Sequence, residues 1–411
     1  MTYGCIGEKL GHSFSREIHQ RLADYTYELK ELTPQELGAF MEQKEFSAIN
    51  VTIPYKQDVI PYLYEISPQA KAIGAVNTIV NRGGKLYGYN TDFFGMRALI
   101  QRAGIEVSGK KVLILGSGGT SRTARAVAKD LNAREILVVS RTGNDGITYE
   151  EARIHHSDAE IIINTTPCGM YPHIHAVPLN MEDYPRLEGV VDAVYNPLRT
   201  ELVLQAEERG IPAIGGLYML VAQAAFVVEF FLDTTVPTEK IEAVYQSMVA
   251  EKQNIVLTGM PGSGKSTVGK LLAEKLGKAF MDTDTLLTER AGRTPAEIIN
   301  AEGEPAFRDL ESAVIRDIAE KTGCIIATGG GAILRDENIK ELKRNGRLYF
   351  LDRPLDEILP TGDRPLSGTR EQLEKRYHER YQRYCDTADH KISPASVLEE
   401  VCKEIIEDTE A

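Results

Sequence analysis

The sequence predicts an α/β protein with more than one domain, and three observations carry that prediction. Its 411 residues exceed what one hydrophobic core usually serves, since cores stop growing at roughly 250–300 residues. Short apolar runs that read as buried strands alternate with segments whose apolar residues fall at helical spacing. Two of the strands run directly into glycine-rich loops, Gly116-Ser-Gly118-Gly119-Thr-Ser121 and Gly259-Met-Pro-Gly-Ser-Gly-Lys265-Ser266, each with a helix behind it. A strand–loop–helix unit of this kind turns backbone N–H groups and a helix N-terminus toward a phosphate.

The composition, 42% hydrophobic and 26% charged, is that of a soluble globular protein. A net charge of −13, shared by both halves, argues against nucleic acid or an anionic membrane as partner. The five cysteines are odd in number and widely spaced, with no C-x-x-C and no metal spacing to the eight histidines. Reduced thiols of a cytoplasmic protein are expected. No signal segment and no apolar run of membrane-spanning length is evident.

In chain order, Tyr3–Gly7 reads as a strand that leads into Leu10-Gly-His-Ser-Phe-Ser15 and a helix over Arg16–Tyr25. Ser13 and Ser15 can donate to a ligand carboxylate, or they can simply cap that helix. Ala48–Pro54 is a strand with Asn50 and Thr52 on one face, ending abruptly at Pro54. Lys56 follows, either as a surface charge or as a catalytic group at a strand end. Two turns, Ala75–Thr78 and Gly88–Asp92, add amides and a carboxylate. The resulting set of Ser, Thr, Lys, Asn and Asp suits a small ligand with several hydroxyls and a carboxylate. A paired lysine and aspartate can move a proton to or from an alcohol oxygen, as carbonyl–carbinol interconversion requires.

Lys111–Gly116, a helix over Arg122–Leu131 and Glu135–Ser140 form a βαβ unit around the first glycine loop, with Ser121 at its third glycine position. A site specific for NAD places an acid at the end of the second strand. Here Ser140-Arg141-Thr142 stands there, one guanidinium and two hydroxyls, which suits the 2′-phosphate of NADP. Strands Glu160–Asn164 and Gly189–Tyr195 each end in turns rich in Gly, Pro or Asn. Leu217–Phe231 and Glu239–Ala250 read as helices, and Gln223 in the first is either a ligand contact or a satisfied core amide.

In the last part of the chain, Asn254–Thr258 precedes the second loop, which fits G-x-x-x-x-G-K-[ST]. Lys265 reaches the β- and γ-oxygens and Ser266 holds Mg²⁺. Asp282 ends the strand Ala279–Asp282 and Asp284 follows two residues on, the pair either serving Mg²⁺ or having no role in the site. Arg308 and Glu311 are either a helix-surface ion pair or part of a site. Gly329–Gly331 follows the strand Cys324–Thr328 and allows close approach to a ligand. Leu359–Leu366 is a candidate lid with Arg364 in it, and Arg380 lies in a basic, aromatic helix.

The motifs GHSFS, NVTIPYK, GAVNT, NTD, GSGGTSR, SRT, NTTPCGM, DAVYNP and GGLYMLVAQA make residues 1–250 resemble shikimate dehydrogenase. The resemblance implies Lys56 and Asp92 as the catalytic pair, with Ser13, Ser15, Thr52, Asn77, Asp92, Tyr195 and Gln223 holding shikimate. It implies NADP contacts at Gly116, Ser117, Gly118, Gly119, Thr120, Ser140, Arg141, Thr142, Ala193 and Gly216. Ser140 stands where many relatives have Asn, and a second basic residue after the SRT motif is absent.

Residues 252–411 resemble shikimate kinase. That implies ATP contacts at Gly262, Ser263, Gly264, Lys265, Ser266 and Thr267, with Mg²⁺ at Ser266 and, through water, at Asp282. Asp284 would accept from substrate hydroxyls and orient the attacking oxygen. Arg308 and Arg380 would clamp the carboxylate, Gly330 and Gly331 would line the substrate, and Arg364 would be the lid arginine. Two departures are Gln382 at the proline of an Arg-x-Pro-x-Tyr pattern and a short stretch between Asp352 and Arg364.

The expected architecture is a substrate domain over 1–93 and 217–250, a Rossmann-like NADP domain over 94–216, and a P-loop kinase domain over 252–411. The expected function is bifunctional: reduction of 3-dehydroshikimate with NADPH, then phosphorylation of shikimate with ATP. Two other readings stand beside it. One is an NAD-dependent quinate/shikimate dehydrogenase fused to another small-molecule kinase. The other is a regulatory protein that senses shikimate through inactive copies of both enzymes, which should have lost some of Lys56, Asp92, Lys265, Asp284 or Arg308.

Overall fold

The computed structural model describes residues 1–10, 14–143, 145–358, 369–392 and 397–410, without the side chains of Phe14, Ser15 and Glu410. The chain divides into two compact units, Met1–Tyr245 and Gln246–Ala411.

The first unit holds two sheets. A six-stranded mixed sheet runs in the order Tyr27–Glu31, Tyr3–Gly7, Ala48–Val51, Thr78–Arg82, Lys85–Tyr89, Glu65–Ile66. The opening three strands are parallel, and Thr78–Arg82 pairs antiparallel with both of its neighbours. Here the structure corrects the expectation of turns at Ala75–Thr78 and Gly88–Asp92. Thr78 begins a strand, and Gly88 and Tyr89 end another. The turn falls between them at Gly83 and Gly84, whose φ values of 62° and 84° close the hairpin without a Cβ penalty. The helix expected over Arg16–Tyr25 spans Phe14–Leu22, because Tyr27 already enters the sheet.

A five-stranded parallel sheet follows in the order Ala213–Ile214, Gly189–Asp192, Ile161–Asn164, Lys111–Leu115, Glu135–Val139. Its central strands are fully buried, which explains their near-continuous Val, Ile and Leu. The sequence order reverses between Lys111–Leu115 and Ile161–Asn164. Ligands bind at the carboxyl edge beside such a reversal. Helices Thr91–Arg102 and Leu217–Leu232 pack face to face, and Gly95 permits their approach: a Cβ there would lie 2.8 Å from Gln223 Cβ and from Met219 O.

The second unit is a parallel sheet in the order Ala279–Asp282, Cys324–Ala327, Asn254–Thr258, Gly346–Leu351, His390–Ile392, with helices packed on it. Asn254–Thr258 is central and wholly buried, so the loop that follows it emerges at the middle of the carboxyl edge. Among the described residues, no helix is long and apolar enough to cross a membrane.

Candidate active sites

In the first unit Lys56 Nζ donates to Asp92 Oδ2 at 2.7 Å, with 30% and 22% of the two side chains exposed. The pairing is imposed from both sides. Val76 N donates to Lys56 O at 2.8 Å, which ties the lysine loop to the segment before Asn77. Asp92 lies in the first turn of the helix Thr91–Arg102, capped by Asn90, whose Oδ1 accepts from Asp92 N at 3.1 Å and whose Nδ2 donates to Ala75 O at 3.0 Å. A carboxylate is favoured at a helix N-terminus. The reading of Lys56 as a plain surface charge is thereby set aside.

Asn77 is buried, and its Oδ1 accepts from Thr91 N at 2.8 Å and from Thr78 Oγ1 at 3.0 Å. Behind it Tyr27 donates to Asn50 Oδ1 at 2.7 Å, and Asn50 Nδ2 donates to Asn77 O at 3.1 Å. This support for Asn77 was only half visible in the sequence. Asn50 alternates with Thr52 on one strand face, but nothing near Tyr27 signals its part. Thr52 is half-buried beside Gly7, and Gln223 is half-buried beside Gly95, one turn along from Asp92. Tyr195 is half-buried after the strand Gly189–Asp192. Ser13 and the side chain of Ser15 lie outside the described residues.

In the same unit the first glycine loop is shaped for close approach of a phosphate. Gly116 has φ 101°, and a Cβ on it would come within 2.9 Å of Thr166 Cγ2. Gly118 and Gly119, at the start of the helix Gly119–Asp130, face open space, with nothing within 4 Å of where a Cβ would stand. Ser121, at the third glycine position, is buried in that helix. Ser140 is also buried, and its hydroxyl accepts from Gly143 N at 3.0 Å, so it shapes the turn that presents Arg141 and Thr142. Both of these are exposed and suit a phosphate. A Cβ on Gly216 would overlap Ala193 O, which keeps those two segments in contact.

In the second unit Lys265 is buried and donates to Gly259 O and Met260 O, each at 2.9 Å. The glycines of the loop adopt φ of 145° (Gly259), 85° (Gly262) and 95° (Gly264), and a Cβ at Gly264 would meet only open space. The loop is therefore a cradle shaped for phosphate. Ser266 Oγ donates to Asp282 Oδ2 at 2.7 Å, and Asp282 also caps the helix Thr283–Ala291 through Asp284 N and Thr285 N. A hydroxyl and a carboxylate in contact are a fitting donor set for Mg²⁺.

A cavity of about 880 Å³ extends from this loop past Asp284 to Arg308, Gly329–Gly331 and Arg380. Arg308 keeps only 9% of its side chain exposed and Glu311 only 1%, which excludes the surface-pair reading. Arg308 Nη1 donates to Glu311 Oε2 at 2.7 Å, and Nη2 to Glu304 Oε1 at 2.8 Å. A Cβ at Gly331 would overlap both terminal nitrogens of Arg308. Burial pushes the Glu311 carboxyl above its ordinary range, with Arg308 opposing and Asp284 adding to the rise. Arg380 is buried too and donates to Gly330 O at 3.0 Å; Tyr384 donates to the same carbonyl. Burial holds the Arg380 guanidinium below its usual range, and Arg376 and Arg308 beside it act in the same direction. The sequence reading leaves out Glu304 and Arg376, whereas Tyr384 is the tyrosine of the Arg-x-Pro-x-Tyr pattern that carries Gln382. The helical spacing of Glu304 and Arg376 from Arg308 and Arg380 was the available signal. Arg364 lies outside the described residues.

A Rossmann-type dinucleotide loop and a lysine–aspartate pair in one unit, with a phosphate loop beside an arginine-lined cavity in the other, define an oxidoreductase joined to a small-molecule kinase. Comparison with known proteins agrees. The family model for the shikimate dehydrogenase substrate binding domain matches residues 5–79, and that for shikimate kinase matches residues 261–410. A shikimate dehydrogenase (NADP(+)) of Clostridium perfringens is 36% identical over 264 residues, covering 60% of this chain and 97% of the relative. A chorismate mutase/shikimate 5-dehydrogenase fusion protein from Clostridium acetobutylicum is 35% identical with TM-score 0.56, covering 60% of this chain and 96% of that one. A shikimate 5-dehydrogenase from Thermus thermophilus in complex with NADP(H) and shikimate is 27% identical with TM-score 0.53, covering 60% and 99%. The chain belongs to the shikimate dehydrogenase family and carries a shikimate kinase domain behind it, a bifunctional enzyme of the shikimate pathway.

Proposed function

We propose that Lys56 and Asp92 manage the proton when 3-dehydroshikimate is reduced to shikimate, and that Asp284, Lys265, Arg308 and Arg380 serve the phosphorylation of shikimate to shikimate 3-phosphate. Bound NADPH supplies the hydride of the first reaction, and bound ATP with Mg²⁺ supplies the phosphoryl group of the second. The observation that carries the reading is the 2.7 Å contact between Lys56 and Asp92, 36 residues apart, in a loop and a helix start that meet only in the fold.

As the carbonyl becomes a carbinol, its oxygen gains a proton. The Lys56 ammonium is placed to donate it while Asp92 holds the ammonium in position, and the lysine, left as a neutral amine, regains a proton from water at its open side. Thr52, Asn77, Tyr195 and Gln223, with Ser13 and Ser15, recognise the hydroxyls and carboxylate. Gly116, Ser117, Gly118, Gly119, Thr120, Ala193 and Gly216 enclose the dinucleotide, and Ser140, Arg141 and Thr142 form its 2′-phosphate end. In the second site Gly262, Ser263, Gly264, Lys265, Ser266 and Thr267 cradle the nucleotide, with Ser266 and Asp282 on Mg²⁺; the role of lid arginine falls to Arg364, outside the described residues. Asp284 orients the substrate hydroxyl, and Arg308, Arg380, Gly330 and Gly331 hold the substrate's carboxylate end. The domain division that fits these roles is 1–93 with 217–250, 94–216, and 252–411. A cytoplasmic location suits five free thiols.

The test is a single incubation of the full chain with 3-dehydroshikimate, NADPH, ATP and Mg²⁺, with products identified by mass spectrometry. Shikimate 3-phosphate is the expected product. Shikimate alone would overturn the kinase half, and unchanged substrate would overturn both.

A further inference from the structure

Asp192 ends the strand Gly189–Asp192 and has no exposed surface. Neither the proton transfer nor substrate recognition uses it, yet its carboxylate is the meeting point of three segments. Oδ1 accepts from Asn164 Nδ2 and from Val194 N, each at 3.0 Å, and Oδ2 accepts from Thr200 Oγ1 at 2.6 Å. Asn164 ends the neighbouring strand, Val194 belongs to the loop before Tyr195, and Thr200 caps the helix Glu201–Glu208.

Two of the donors, Asn164 and Val194, each hold a further piece of the cofactor side. Asn164 Oδ1 accepts from Thr166 N at 3.1 Å and from Thr166 Oγ1 at 2.7 Å, and Thr166 is the residue packed against Gly116. Its neighbour Thr165 donates through Oγ1 to Leu115 O at 2.6 Å, fixing the chain just before the glycine loop. Val194 O accepts from Gly216 N at 2.8 Å, which sets the contact between Ala193 and Gly216. All three partners of Asp192 are donors, and an ionised carboxylate offers acceptors only. An amide in its place would turn an NH₂ toward at least one of them and leave buried donors facing each other.

We infer that Asp192 is a positioning residue for the dinucleotide: it fixes the spacing between the turn at Gly116 and the wall formed by Ala193 and Gly216. The inference rests on the assignment of those residues to NADPH above. A carboxylate that merely stabilised the fold would not distinguish the cofactor from the substrate, and that difference is what the test reads.

The full chain is prepared as wild type, Asp192→Asn and Thr200→Val. NADPH binding is measured directly from nicotinamide fluorescence, and KM values are measured for shikimate and for NADP. In Asp192→Asn the NADPH dissociation constant is expected to rise about tenfold, and in Thr200→Val about threefold, as hydrogen bonds to a charged group are lost. The shikimate KM should rise less, by at most about threefold, because, of the substrate groups, only Tyr195 follows the segment that Asp192 holds, while Lys56, Asp92 and Asn77 stand on others. Unchanged NADPH affinity in a folded Asp192→Asn chain, or an equal rise in both KM values, would overturn the inference. If Asp192→Asn does not fold, Thr200→Val decides in the same way. Failure of the wild type itself to bind NADPH would instead overturn the cofactor assignment.

Discussion

The two proposed sites handle charge in opposite ways. Around Lys56 and Asp92 the fold places neutral amides and hydroxyls and leaves both charges partly open, at 30% and 22%. Around Arg308 it places two carboxylates and a second buried arginine, and the Arg308–Glu311 pair keeps only 9% and 1% exposed. A group that passes a proton gains from access. A group that holds a fixed anion gains from a dry setting, where its charge is less screened. The same difference separates the effects of substitution: the open pair should carry activity with little stability, and the buried pair should carry both.

The largest effect is expected at the open pair. Lys56→Ala should lower dehydrogenase kcat by about 10²–10⁴-fold, the usual range for a lost acid–base group. Phosphorylation in the same chain should stay within about twofold, and the urea midpoint should move far less than at the buried pair, since both charges keep access to water. Parallel assays of both activities check this, and a joint fall would break the contrast. At the buried pair, Arg308→Ala should abolish phosphorylation and also destabilise the second unit by about 3–5 kcal/mol, because Glu311 is left as an uncompensated buried charge. Arg308→Met with Glu311→Leu should recover most of that stability and none of the activity. Activity in the double variant would show that Arg308 does not hold the substrate.

The sequence displayed these sites unevenly, and the unevenness has a physical origin. The presence of the buried strands is legible because burial on both faces enforces continuous apolar runs; Asn254–Thr258 is found as read. The runs Lys111–Gly116 and Gly189–Tyr195 were read too long. Gly116 leaves the extended region at φ 101°, and Asp192 turns back to bind Val194. The glycine loops were legible because they are local. What was hidden is whatever depends on two distant segments meeting: the hairpin turn at Gly83–Gly84, Tyr27 and Asn50 behind Asn77, and the place of Asp192 among three loops. Glu304 sits between these cases, one helical turn from Arg308, at a spacing that is equally common on solvated surfaces.

A smaller effect sharpens the cofactor side. Arg141→Ala should raise the KM for NADPH about tenfold, the scale of one lost charge-assisted phosphate contact, and leave the KM for NADH unchanged. Equal affinity of wild type and variant for NADPH would remove Arg141 from the 2′-phosphate.

The smallest effect concerns acid, and it sets two groups of the first unit against each other. His19 is buried, stacked on Tyr27 with ring centroids 4.2 Å apart, and burial pushes its imidazole from 6.5 down to about 3. It folds neutral, so its contribution is present above pH 6.5 and is lost as pH falls from there toward 3. Asp192 moves the other way. Burial raises its carboxyl from 3.8 to about 6, against the bonds from Thr200, Val194 and Asn164, so the fold gains stability as pH falls from about 6 to 3.8. Cys168, the titratable neighbour that feels the Asp192 charge, stays a thiol throughout this range. The His19 window is the wider and opens first, so the first unit should weaken between pH 7 and 5. In Asp192→Asn the decline should steepen because the offset is gone, whereas in His19→Phe it should reverse. The urea midpoint of the first unit, read from its own peptides after pulsed proteolysis, measures all three. A wild-type midpoint that holds or rises from pH 7 to 5 would show that His19 does not stay neutral in the folded chain.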